Sequence, residues 1–280
     1  MQTVATVAEM RRVRRSLPAP VGFVPTMGAL HAGHLSLVTR ARSECASVVA
    51  SIFVNPLQFG PNEDFDRYPR TPERDTQLLT EAGVDVIFAP ERSEMYPPDA
   101  QFIVVPAALA EHLEGERRPG FFTGVATVVL KLFNIVAPDV AYFGQKDAQQ
   151  LAVVSRMVRD LFVPVRIAAC PTVRENDGLA MSSRNAYLEV EQRAAAPRLH
   201  AALTQIARAL ESGQRDVAAA TVQAEAVLPP LKLDYLAVVD PAVFEPLRAA
   251  PAGADLLAVG AAFAGSTRLI DNVEVRTPSL

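Results

Sequence analysis

Two histidines three residues apart, His31 and His34, close the run Pro25-Thr26-Met27-Gly28-Ala29-Leu30-His31-Ala32-Gly33-His34, where an apolar stretch at 21–24 gives way to a helical pattern. A helix start leaves backbone N–H groups unpaired and carries partial positive charge, so imidazoles there can donate hydrogen bonds to a phosphate in company with the backbone. Gly33 permits close backbone approach. Three chemistries fit the pair: metal ligation, since positions three apart share a helix face; packing at a helix start; or phosphate chemistry. The other histidines, His112 and His200, lie in unrelated helical contexts, and no acidic residue falls inside the motif. Phosphate chemistry is the favoured reading.

A second constellation, Gly178-Leu179-Ala180-Met181-Ser182-Ser183-Arg184-Asn185, gathers two hydroxyls and a guanidinium before a helix. Such groups suit phosphate oxygens, and equally a helix cap. No G-x-x-x-x-G-K-[ST] and no G-x-G-x-x-G occurs. The nearest approach, at 260–267, lacks the lysine and sits in a strand pattern, so it reads as structure.

The elements that must position these groups follow from periodicity. Apolar runs at 21–24, 48–54, 84–88, 140–143 and 165–169 alternate with helical periods at 35–42, 74–80 and 148–158. That alternation predicts a Rossmann-like, doubly wound parallel α/β sheet, which takes ligands beyond the strands' carboxyl ends. Continuous hydrophobicity at 48–54 fits a strand covered on both faces. Thr71-Pro72 reads as an N-cap with proline in the first turn, and Asp147 as the cap of the helix after Phe143. The basic run at 11–15 reads as the solvated face of a first helix. Beyond a polar stretch at 171–184 the composition changes: an Ala- and Arg-rich helix at 189–210 ending near Gly213, a helix at 216–228, a Pro229-Pro230 break, and strands at 233–239, 256–262 and 268–270. The expected organisation is a Rossmann-like nucleotide-binding domain at 1–172 and a smaller C-terminal α+β lid domain at 173–280.

Half of the 280 residues are hydrophobic and the formal net charge is −4, which favours a small-molecule substrate over nucleic acid. Two cysteines, Cys45 and Cys170, without a C-x-x-C, predict buried free thiols. The N-terminus lacks an apolar signal core, and the longest apolar stretch, 124–137, is interrupted by Lys131. The expected location is the cytoplasm, with no membrane partner.

The first motif resembles the "HIGH" signature of the nucleotidylyltransferase superfamily, and Met181-Ser182-Ser183-Arg184 its "KMSKS" counterpart. More narrowly, the chain resembles the pantothenate synthetase family. The narrower likeness rests on Val54-Asn55-Pro56-Leu57-Gln58-Phe59, Tyr68-Pro69-Arg70-Thr71, Leu113-Glu114-Gly115 with Arg118-Pro119-Gly120, Lys131-Leu132-Phe133, Phe143-Gly144-Gln145-Lys146-Asp147, and Leu269-Ile270-Asp271-Asn272. These run in order along nearly the whole chain.

The resemblance implies an AMP-forming ligase: the pantoate carboxylate attacks the α-phosphorus of ATP, giving pantoyl adenylate and pyrophosphate, and the β-alanine amine then displaces AMP. The alternative is another adenylyl-transferring member of the superfamily with a different acceptor. By the same resemblance His31, His34 and Lys146 are catalytic. Met27, Gly28, Gly33, Gly144, Asp147, Val173, Met181, Ser182, Ser183 and Arg184 join His34 and Lys146 in holding ATP. Gln58 and Gln150 hold pantoate, so the domain at 1–172 binds pantoate as well as the nucleotide. Mg2+ accompanies ATP, with Asp75 as its indirect support, and the protein is a homodimer. Four positions depart from the family pattern: Arg74 stands where an acid is common, Phe121 where a histidine is, and Gln145 and Ala148 replace acidic and aromatic neighbours of Lys146-Asp147.

Overall fold

In the computed structural model, which describes residues 1–61 and 63–279, the predicted alternation becomes a parallel sheet flanked by helices. In chain order the elements are β1 (Gln2–Val4), α1 (Val7–Arg14), β2 (Val21–Thr26), α2 (Ala32–Glu44), β3 (Ser47–Ile52), α3 (Pro72–Glu81), β4 (Val86–Phe88), α4 (Arg92–Met95), α5 (Glu114–Arg117), α6 (Phe121–Val136), β5 (Val140–Gly144), α7 (Ala148–Asp160) and β6 (Arg166–Cys170). Among the described residues the sheet has six strands in the order β1-β4-β3-β2-β5-β6, all parallel. From β2 the chain winds outward through β3 to β4, which pairs with the edge strand β1, and, starting again at β5, to the other edge at β6. The order therefore reverses between β2 and β5, where doubly wound sheets bind their ligands.

Strand side chains alternate between two separate cores. Phe23, Val49 and Phe88 face one with α1, α6 and α7, while Val24, Ala50 and Ile87 face the other with α2 and α3. Both faces are thus covered, as the unbroken apolar run at 48–54 predicts. Helix α6 sits in the first core with Phe122, Val125, Ala126, Val129 and Phe133 buried, Phe133 meeting Phe23 and Phe143 edge to face at 6.4 Å. At α3, Thr71 occupies the N-cap with Pro72 behind it, but its hydroxyl makes no cap bond and goes to Asp75 instead.

The chain divides into two compact units. The first comprises 1–110, 114–145 and 150–171, and the second 111–113, 146–149 and 172–280. Within the second lie α8 (Val190–Ala195), α9 (Arg198–Glu211), α10 (Val217–Glu225), β7 (Lys232–Val239), β8 (Asp255–Ala264) and β9 (Thr267–Arg276). The three strands form an antiparallel sheet in the order β7-β8-β9. Leu199, Ala202, Leu203, Ile206, Ala207 and Leu210 recur at helical spacing along α9 and are buried with Leu256, Ala258, Leu269 and Val275 of β8 and β9.

Two expectations for this region are corrected. The single helix at 189–210 is two, because Pro197 has no N–H to continue α8 and instead starts α9, accepting from the N–H of Ala201. The third strand runs from 267 to 276 rather than 268 to 270, carrying Asp271, Asn272 and Glu274 within it. Gly213, at φ 105, ends α9 as expected. Cys45 and Cys170 are free and buried.

Candidate active site

The first motif grows out of the carboxyl end of β2, one of the two strands at the reversal point. Thr26 holds its exit: the hydroxyl donates to Ser51 O at 2.7 Å and accepts from Gly28 N at 3.1 Å. The next two residues take left-handed backbone, Gly28 at φ 80 and Ala29 at φ 50. A Cβ on residue 28 would lie 2.9 Å from Asp75 Oδ2, so both the turn and the close approach require glycine. Asp75, 1% exposed on α3, accepts from the N–H groups of Ala29 at 2.9 Å and Leu30 at 2.8 Å and from the Thr71 hydroxyl at 3.1 Å. Arg74 donates to Leu30 O at 3.2 Å. Two neighbours on α3 thus clamp opposite polarities of one loop.

The histidines themselves form the helix start. His31 is the N-cap of α2, its Nδ1 accepting from Gly33 N at 3.1 Å, and the His31 N–H donates to His34 Nδ1 at 3.4 Å. This is a capping box built from two imidazoles, with ring centroids 4.1 Å apart. An imidazole nitrogen that accepts a hydrogen bond carries no proton, so each neutral ring has its proton on Nε2. The cap therefore selects the tautomer in which Nε2 is the donor.

Gln58 ends a short 3₁₀ turn, Pro56–Gln58, just beyond β3. Fully buried Asn55 holds it: Asn55 Nδ2 donates to Gln58 Oε1 at 2.9 Å and to Gly124 O at 3.0 Å, while Tyr96 Oη donates to Asn55 Oδ1 at 2.7 Å. Asn55 was given no role by sequence reasoning, although Asn-Pro at a strand end is a turn-starting pair that marks such a side chain. Helix α6 touches this turn so closely that a Cβ on Gly124 would fall 2.1 Å from Leu57 O. Gly124→Ala is expected to destabilise the protein by about 1–3 kcal/mol through overpacking, measured by chemical denaturation, and to weaken binding of whatever Gln58 contacts.

Arg118 closes the same region. It pairs with Glu63 through Nε and Nη2, both at 2.7 Å, donates to Gln58 O at 3.1 Å and stacks 3.6 Å above the Phe121 ring. The departure at Phe121 thus supplies an aromatic face to a guanidinium. Gln150 lies on α7, which follows β5, the other strand at the reversal point.

The remaining predicted residues belong to the second unit. Lys146 and Asp147 lie in the 3₁₀ turn Gln145–Asp147, with Nζ 3.9 Å from Asp147 Oδ1. Val173 and Met181 pair across a hairpin, Met181 N donating to Val173 O at 3.0 Å, and Ser182 then caps the turn Ser183–Tyr187 by accepting from Arg184 N at 3.3 Å. Sequence reasoning anticipated both the cap and the hydroxyl cluster. It left unassigned the group behind the hairpin, Arg174 with Asp271. Burial works to raise the Asp271 carboxyl, but the approach of His200 and the forked bonds from Arg174 outweigh it and hold it below the usual range.

The predicted residues therefore fall into two sets: Met27, Gly28, His31, Gly33, His34, Gln58, Asp75, Gly144 and Gln150 in the first unit, and Lys146, Asp147, Val173, Met181, Ser182, Ser183 and Arg184 in the second. Among the described residues no group of three His, Cys, Asp or Glu side chains could hold a metal ion. No described helix is long and apolar enough to cross a membrane.

The family model of pantoate-beta-alanine ligases matches residues 2–274. The chain belongs to the pantoate-beta-alanine ligase family. The pantothenate synthetase of Thermobifida fusca is 55% identical over 279 residues, covering 96% of this chain and 93% of its own. A crystal structure of the pantoate-beta-alanine ligase from Thermus thermophilus superposes with a TM-score of 0.92 at 52% identity, covering 99% of this chain and 100% of that one. That from Francisella tularensis, complexed with beta-gamma ATP and beta-alanine, superposes with a TM-score of 0.81 at 36% identity, covering 98% and 97%. As a pantoate-beta-alanine ligase the chain is an ATP-dependent enzyme of pantothenate synthesis, and an adenylyl transferase with a different acceptor is set aside.

Proposed function

We propose that this ligase activates pantoate on the histidine-capped start of α2. The carboxylate oxygen of pantoate bonds to the α-phosphorus of ATP and pyrophosphate leaves. The β-alanine amine then bonds to the acyl carbon, and AMP leaves with that oxygen. A carboxylate resists amine attack until its oxygen becomes a good leaving group, which the adenylate provides, so no protein nucleophile is needed. The observation that carries the reading is the imidazole capping box, in which each Nδ1 accepts and each Nε2 is thereby the donor. Donors fixed in advance stabilise the charge that builds on the α-phosphate.

Lys146 acts on phosphate oxygens as a point charge, and Ser182, Ser183 and Arg184 on the β- and γ-phosphates. Met27, Gly28, Gly33 and Gly144 in the first unit and Val173 and Met181 in the second are assigned to nucleotide binding, and Asp147 to the ribose. Gln58 and Gln150 supply neutral, directional bonds to pantoate, where a carboxylate would repel it. Magnesium enters with ATP as part of the substrate, since it keeps much of its water and needs few protein ligands. Asp75 is reassigned from metal support to loop support, because its oxygens already bind two backbone N–H groups and the Thr71 hydroxyl.

Pantoate-dependent exchange of pyrophosphate into ATP tests the reading, with isotopic oxygen passing from pantoate to AMP as the expected mark; exchange without pantoate, or release of ADP, would overturn it. Gln58→Ala is expected to raise the KM for pantoate about tenfold, one lost hydrogen bond's worth, with the KM for ATP little changed. The same reading takes the ligase as a cytoplasmic homodimer, whose stoichiometry sedimentation equilibrium checks.

A further inference from the structure

Strand β9 carries an acid where its pattern calls for an apolar residue. Leu269, Val273 and Val275 line the face that packs under α9, and Asp271, 6% exposed, sits in the same row. A buried carboxylate in such a row is costly unless it is fully engaged, and Asp271 is. Its oxygens accept from Arg174 Nη1 at 2.6 Å and Nη2 at 2.9 Å and from Asn272 N at 2.8 Å, with His200 Nδ1 3.3 Å away.

The Arg174 fork reaches further, to Gly178 O at 3.1 Å and Asn272 O at 3.2 Å. Arg174 and Gly178 belong to the hairpin in which Arg174 pairs with Ala180, the last residues before Met181 and Ser182. Asn272, next along the strand, points its side chain to the opposite face and donates from Nδ2 to Lys146 O at 3.0 Å. Two consecutive residues of β9 therefore grip two segments far apart in sequence, one bearing Lys146 and the other Ser182–Arg184.

We infer that Asp271 and Asn272 are positioning residues for adenylate formation: they set Lys146 and the Ser182–Arg184 turn at a fixed separation, matched to the phosphate chain of ATP. The inference rests on the phosphate roles proposed above. Fixed placement matters because a shift of about 1 Å in a catalytic group can cost on the order of a hundredfold in rate. It also gives the pair a signature that a purely structural role lacks. The second half-reaction, in which β-alanine meets preformed pantoyl adenylate, involves no pyrophosphate and does not need that separation.

Two variants cut the two arms. Asn272→Ala removes the bond to Lys146 O, and Arg174→Lys keeps a cation beside Asp271 while losing the fork to the hairpin. Each is expected to slow pantoate-dependent pyrophosphate exchange at least tenfold in kcat, with conversion of preformed pantoyl adenylate within twofold of wild type. Exchange within twofold of wild type, or an equal fall in both half-reactions, would overturn the inference. Should Arg174→Lys fail to fold, Asn272→Ala decides alone. Wild-type protein without pantoate-dependent exchange would overturn the parent reading, a result distinct from either variant's.

Discussion

His34→Ala is expected to slow pantoyl adenylate formation by about a hundredfold or more, the usual loss when one fixed transition-state donor is removed. The substitution strikes two functions at once, because His34 also accepts the His31 N–H in the capping box. His34→Gln separates them. Glutamine is a standard partner at this third helical position, so the variant should melt like wild type yet remain slow in exchange. If His34→Gln exchanges at the wild-type rate, the ring's role is capping alone. Stopped-time exchange assays beside thermal melting read both quantities on the same preparations.

Asp75→Ala is expected to be the most destabilising single change near the site. It removes the carboxylate that accepts from the buried N–H groups of Ala29 and Leu30, and a lost buried acceptor costs about 1–3 kcal/mol. Relief of the tight contact with Gly28 returns little, because the left-handed turn at 28 and 29 loses the carboxylate that holds it. The deficit should appear in urea denaturation with EDTA present and no nucleotide. A deficit seen only with magnesium and ATP would restore Asp75 to the metal.

Why some of this was legible in the sequence and some was not follows from the range of the forces involved. The junction of β2 and α2 depends on neighbours: an apolar strand, a glycine turn and a capped helix start follow one another directly, so the His31–His34 pair could be read at once. Five strands of the parallel sheet were legible for the same reason, each announcing itself locally as an apolar run, whereas the three residues of β1 are too few to do so. Helix α6 was noted only as an apolar stretch, because most of its residues are buried and Lys131 is its one charged residue, so it drew the eye as a hydrophobic run first. The full length of β9 was missed where Asp271 and Asn272 interrupt its alternation for the sake of partners at 174 and 146. Asn55 and Asp75 show the same limit, for their partners lie 69 and 46 positions away.

The interleaving of the two units along the chain bears on how the enzyme comes to exist during translation. Residues 146–149 leave the ribosome long before β9, yet they group with the unit that β9 completes, and the main chain at Lys146 is tethered by Asn272. A nascent polypeptide released before residue 267 carries every described strand of the parallel sheet but leaves the lysine's tether unmade. The main-chain tether at Lys146 thus waits on β9, the last described strand in chain order.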